Sequence, residues 1–338
     1  MTKSSTLLAL LLALATGCAS ASGSDGSDSS RADATTAAIA SSVSLQVPAR
    51  GFQVATPGML VEPGDDVRTC EVIALPGSPS DVFYVNRIEA ALSARGEDLV
   101  VSAALPGSQT EAIMDVGSSV PCTRAGEAFG EELVDVTAAQ ARYRDLRFPA
   151  GVGKIFHGGQ KLAVEHHFVN ATSEPLPAIV KLSFHTVDAS DVEHLAHTAS
   201  FSNFTIYTPP GGRSSHLGEC AVHGNIQVSD LLRRTQRYGT GFSVWRVGGE
   251  HDGDLIWQSD DRADNQRALR AAPLQLNAGE GLRFQCDFQN TTDRELRYGV
   301  NATDETCSLD ATFWNPDDAN THEGCMLFSV DADGIARK

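Results

Sequence analysis

Basic charge is scarce in this sequence. Across 338 residues, 26 Lys and Arg stand against 43 Asp and Glu, a formal charge of -17. Binding nucleic acid relies on clustered cations that neutralise phosphates, so nucleic acid is not an expected partner. No apolar run exceeds the stretch from Leu7 to Leu14, which is too short to span a bilayer. The chain also has no Gly-x-Ser-x-Gly elbow, no His-Glu-x-x-His pair and no phosphate-cradling glycine loop followed by a helix. Ordinary hydrolase, zinc-protease and nucleotide chemistry therefore have no support. No internal repeat is apparent either. What the chain does have is 41% hydrophobic residues, enough for two domains with cores of their own.

The N-terminus reads as an export signal. Lys3 precedes the apolar run, which ends in Leu14-Ala15-Thr16-Gly17-Cys18, and this stretch resembles a bacterial lipoprotein signal with its lipobox. Residues 1–18 are then the signal, and Cys18 becomes the acylated first residue, a lipid anchor to the membrane of the cell envelope. A plain secretory signal cleaved elsewhere is the alternative. Either way the chain is exported to an oxidising compartment. Residues 19–45 are mostly Ser, Ala, Gly, Asp and Thr, a composition that buries too little surface to order itself, and are expected to form a flexible tether.

Setting Cys18 aside, Cys70, Cys122, Cys220, Cys286, Cys307 and Cys325 remain, an even number that fits disulfides in an exported protein. The spacing suggests a Cys70–Cys122 pair in one domain and nested or crossed pairs in the other. Short β-like runs bounded by Gly, Pro, Asn and Asp recur at 82–88, 99–104, 162–169, 179–184, 242–247, 282–288 and 296–300. The expected fold is all-β, two tandem antiparallel sandwiches over residues 46–188 and 189–335 with a boundary near Asp188. Residues 125–143, rich in Ala and Glu with near-helical apolar spacing, are expected to form a surface helix.

Several stretches carry a family resemblance in the same order. They are 148–153 (Phe-Pro-Ala-Gly-Val-Gly), 162–170 (Leu-Ala-Val-Glu-His-His-Phe-Val-Asn), 234–240 (Arg-Thr-Gln-Arg-Tyr-Gly-Thr), 285–290 (Gln-Cys-Asp-Phe-Gln-Asn) and 304–307 (Asp-Glu-Thr-Cys). With the cysteine placement, the chain resembles the copper type II, ascorbate-dependent monooxygenases, the family of peptidylglycine α-hydroxylating monooxygenase and dopamine β-hydroxylase. The resemblance implies two jelly-roll-like sandwiches facing across a cleft, each contributing one copper. Imidazole and thioether ligands suit such a metal because they stabilise both of its oxidation states. The family's first copper takes an adjacent histidine pair and a third histidine, and its second takes His-x-His and a methionine. On this sequence those positions hold Glu97, Asp98 and His167, then Arg234, Gln236 and Thr306. Only His167 keeps its imidazole, and a guanidinium has no lone pair for a metal.

The resemblance thus implies an oxidoreductase fold with its copper ligands replaced, a catalytically degenerate member that binds a small molecule or an envelope protein in the cleft. Two alternatives are an active monooxygenase that hydroxylates an unactivated C–H bond, and a structural protein of the cell envelope. Arg234 in a partly buried cleft suggests an anionic ligand. Two metal sites outside the family pattern merit inspection. Glu97, Asp98 and His167 could hold a harder ion such as Mn, Fe or Zn, and His185, His194 and His197 form a local cluster. Strand alternation turns His166 away from His167, toward solvent or a neighbour. The Asn-x-Thr triplets at 170, 203, 290 and 301 are expected to be strand-end turns.

Overall fold

The computed structural model describes residues 41–299, 301, 303–317 and 323–337. The signal, Cys18 and most of the tether lie outside them. The fold is all-β, and a two-residue period explains why. In the strand Lys161–Val169, Leu162, Val164, His166 and Phe168 face the interior, while Ala163, Glu165 and His167 face the other way.

The first sandwich packs two sheets. One runs Ser119–Pro121, Asp66–Ala74, Lys161–Val169, Gly96–Ala104, Leu133–Ala139, and the other includes Gly51–Ala55, Val180–Val187, Val82–Leu92 and Gly151–His157. Between them lie Ile88, Leu92, Leu99, Val101, Val164, Phe168, Leu182 and Phe184. The second sandwich repeats the plan around Phe201, Leu231, Phe242, Phe284, Phe288 and Phe313. One of its sheets is ordered Leu255–Ser259, Gly239–Val247, Gly281–Gln289, Arg213–Ala221, Ile335–Arg337. Its other sheet starts from Val192–Asn203, which pairs in parallel with Gly151–His157 of the first sandwich, so one 11-stranded sheet runs through both halves. Asp188 caps the 3-10 turn Ala189–Asp191 between the two halves.

The three disulfides are Cys70–Cys122, Cys220–Cys325 and Cys286–Cys307, the last two nested in the second sandwich. Three expectations are corrected. Residues 125–143 are not one helix: the helix Ala125–Phe129 ends at Gly130, whose φ of 110° breaks it, and the strand Leu133–Ala139 follows with Val134, Val136 and Thr137 in a β-branched run. Chain packing starts inside the expected tether, because Val43 is buried against Ala91 and Ile179 and its carbonyl accepts from Lys181 Nζ at 2.8 Å.

The third correction concerns repetition. Lys161 faces Ala74 and Val169 faces Asp66, and in the second half Gly281 faces Ala221 and Gln289 faces Arg213. Both central strands carry a β-bulge at the same place on the other side, Phe168 facing Gly96 and Phe288 facing Gly239. The matching residues are Leu162 and Leu282, Phe168 and Phe288, Asn170 and Asn290, Thr172 and Thr292. Asn170 Nδ2 donates to the carbonyls of Val61 and Glu174, and Asn290 Nδ2 donates to those of Thr208 and Arg294. The repeat lies in register and a few turn anchors, so overall sequence similarity does not reveal it.

Candidate functional site

A cleft of about 960 Å³ lies between the sandwiches, lined from both. On its first-sandwich wall, His167 stands between Arg68 and Asp98, its direct cross-strand partners, so all three side chains share a face. Arg68 grips Asp98 in a two-pronged pair, with Nη1–Oδ1 at 3.0 Å and Nη2–Oδ2 at 2.6 Å, and Nη1 also donates to Glu165 Oε1 at 2.6 Å. His167 hydrogen-bonds Asp66 at 2.5 Å and lies 3.8 Å from Asp98. Burial opposes ionisation of Asp98, but Arg68 and then His167 overcome it and hold that carboxyl below its usual range. For Glu165, burial outweighs Arg68 and pushes its carboxyl up.

On the opposite wall, Arg234 Nε lies 2.9 Å from Asp310 Oδ2, and Nη2 donates to Ser200 Oγ at 3.3 Å. Burial opposes the charge on Arg234, yet Asp310, Glu165 and Asp98 together raise its pKa. The cation is therefore met internally, and the expectation that Arg234 recruits an anion is corrected: Asp310 takes that role. Gln236 is spent on scaffolding, accepting no role in the cleft; its N–H donates to Glu305 Oε2 at 2.8 Å and its Nε2 to the Gly299 carbonyl at 2.9 Å. Thr306 lines the cleft and donates to the Arg234 carbonyl at 3.4 Å.

The sequence-derived positions are therefore only partly assembled. Asp98, Arg234 and Thr306 line the cleft, His167 is buried beside Asp98, and Glu97 is the extra residue of the bulge and is exposed. The proposed Glu97–Asp98–His167 metal site does not form, since Glu97 does not join the other two and Asp98 is held by Arg68. The histidine cluster does not form either. His185 pairs with Glu89 at 2.6 Å on the outer sheet of the first sandwich, and His197 packs against Phe313. His166 is fully buried against Glu71 at 3.0 Å, so its partner is a neighbour and not solvent.

Sequence reasoning missed Arg68, Lys154, Glu165 and Asp310. Their signal was a charged residue inside an otherwise apolar strand, as in Gly151–His157 and Ser308–Trp314. Toward its mouth the cleft turns apolar. Phe204 stacks on Phe328 with ring centres 4.7 Å apart and meets Tyr298 edge-on at 4.3 Å, while Phe328 is 71% exposed.

The donor set does not fit copper. The His167 imidazole is already hydrogen-bonded, the nearby carboxylates are bound by guanidinium, and the opposite wall presents a guanidinium, Arg234.

No family model and no curated protein matches the chain. Among solved structures, the major capsid protein P2 from bacteriophage PM2 is similar at 10% identity, covering 80% of this chain and 100% of that one with a TM-score of 0.29. A D431N mutant VP2 protein of infectious bursal disease virus is 11% identical over 82% of each chain, with a TM-score of 0.14. Scores of this size support no argument about topology or activity.

Proposed function

We propose that the protein is an exported, lipid-anchored component of the bacterial cell envelope that binds a small molecule in the cleft between two sandwiches resembling those of the copper monooxygenases, with the copper chemistry lost. One observation carries this reading. Both walls of an open cleft hold internal ion pairs at positions where the resemblance expects metal ligands: Arg68 on Asp98, and Arg234 on Asp310. A guanidinium has no electron pair for a metal, and beside carboxylates it removes the electrostatic need for one. The apolar mouth and polar floor are the usual composition of a small-molecule site. Three disulfides support the exported reading.

The experiment is fluorescence titration with Nile red, a neutral apolar probe matched to the Phe204–Phe328 mouth. Saturable binding is expected, weakened about threefold to tenfold by Phe328→Ala through lost ring contact. Absence of saturable binding would favour a purely structural role for the protein. Oxygen consumption with copper and ascorbate would restore the monooxygenase reading.

A further inference from the structure

Lys154 stands apart from Arg68 and Arg234, which line the same cleft. Arg68 and Arg234 each lie within 3 Å of a carboxylate oxygen. Lys154 is 7% exposed and donates instead to two uncharged oxygens, the Asp135 carbonyl at 2.8 Å and Thr198 Oγ1 at 3.0 Å. It forms no carboxylate ion pair among the described residues. Both acceptors line the cleft, as Lys154 does. A buried ammonium without a counter-ion is costly, and the usual relief is loss of the proton. Burial accordingly pushes the Lys154 amine down to about 8, against a smaller opposing pull from Asp135.

We propose that Lys154 is a nucleophilic amine that anchors a carbonyl ligand, an aldehyde or ketone with an apolar body, in this cleft as a reversible imine. The amine lone pair attacks the carbonyl carbon. The carbinolamine then gives up its oxygen with both amine protons as water, leaving a C=N bond, and no oxidant or reductant is consumed. Asp135, which lines the cleft, is the carboxylate whose pull on Lys154 favours a cation there, and a protonated imine is such a cation. Phe204, Tyr298 and Phe328 offer rings for the apolar body. The proposal rests on the cleft admitting small molecules, as the binding reading requires.

The test is reductive trapping of the intact protein with benzaldehyde and sodium cyanoborohydride at pH 7, read by peptide mass spectrometry. The internal controls are Lys161 and Lys181, both half-exposed. The expected result is a benzyl adduct on Lys154 at about tenfold or more the occupancy of either control, because a larger share of its amine is unprotonated. A Lys154→Arg variant that keeps the wild-type melting temperature should lose that adduct alone. Labelling of Lys161 and Lys181 with none on Lys154 overturns the imine site. Saturable Nile red binding in that same sample would show that the cleft reading survives, and its loss would show that both have failed.

Discussion

Arg68 shows how one residue can organise a wall of the cleft. Its guanidinium serves Asp98 and Glu165 together, two carboxylates that would otherwise face each other with little water. Removing one partner from a buried network leaves uncompensated charge, so Arg68→Met is expected to cost about 3–5 kcal/mol in urea unfolding at pH 7. Adding Asp98→Asn and Glu165→Gln should recover most of that loss, and a cost under about 1 kcal/mol for the single change would show that the network is more solvated than its geometry implies. Lys154 gives the opposite sign. Its folded pKa of about 8 lies below the ordinary 10.5, so between those values the unfolded chain binds the extra proton. This contribution makes stability rise with pH across that window, by about 3 kcal/mol in full. Urea midpoints measured from pH 7 to pH 10.5 should climb in the native protein more than in Lys154→Met. Parallel curves for the two proteins would contradict the burial assigned to this amine.

At the scale of elements, the repeated unit is a central strand with its two neighbours and one bulge. The strand-end asparagines fix it by the same device in both halves: Thr172 N–H donates to Asn170 Oδ1 and Thr292 N–H to Asn290 Oδ1, each at 2.9 Å. Cys286–Cys307 ties the second copy's central strand to Ser308–Trp314 across a separation of 21 residues. Closing a loop of that size restricts the unfolded chain, so the double Cys286→Ser, Cys307→Ser variant should lose about 3 kcal/mol by chemical denaturation. A loss near zero would mean that the strands alone define this junction. Strands were legible in the sequence because alternation and turn residues act locally, as at 162–169. The segment 125–143 was misread because its Ala and Glu content suits a helix, while the outcome was set by Gly130 and by pairing of Leu133–Ala139 with Gly96–Ala104.

For the whole molecule, the two sandwiches are joined by more than a linker. The parallel pairing of Gly151–His157 with Val192–Asn203 extends one sheet across both, and Arg144 of the first half is buried against Asp230 and Gln266 of the second. This union holds the cleft walls in register and brings Arg68, Lys154 and Arg234 to the same cavity. The cysteine division and the two-sandwich plan could be read from the chain. The charged residues Asp98 and Arg234 were equally visible, but their partners were not: Arg68 lies 30 residues from Asp98, and Arg234 meets Asp310 only once two distant strands share a sheet. No local pattern encodes such pairs.

The most direct test of the central claim is the copper content of the purified protein. It would be loaded with copper and ascorbate, desalted and quantified by elemental mass spectrometry. If the internal ion pairs have replaced the metals, copper should stay below about 0.1 equivalent, because guanidinium offers no lone pair and the His167 imidazole is engaged by Asp66. Retention of about one to two equivalents would contradict the account and return the cleft to redox chemistry.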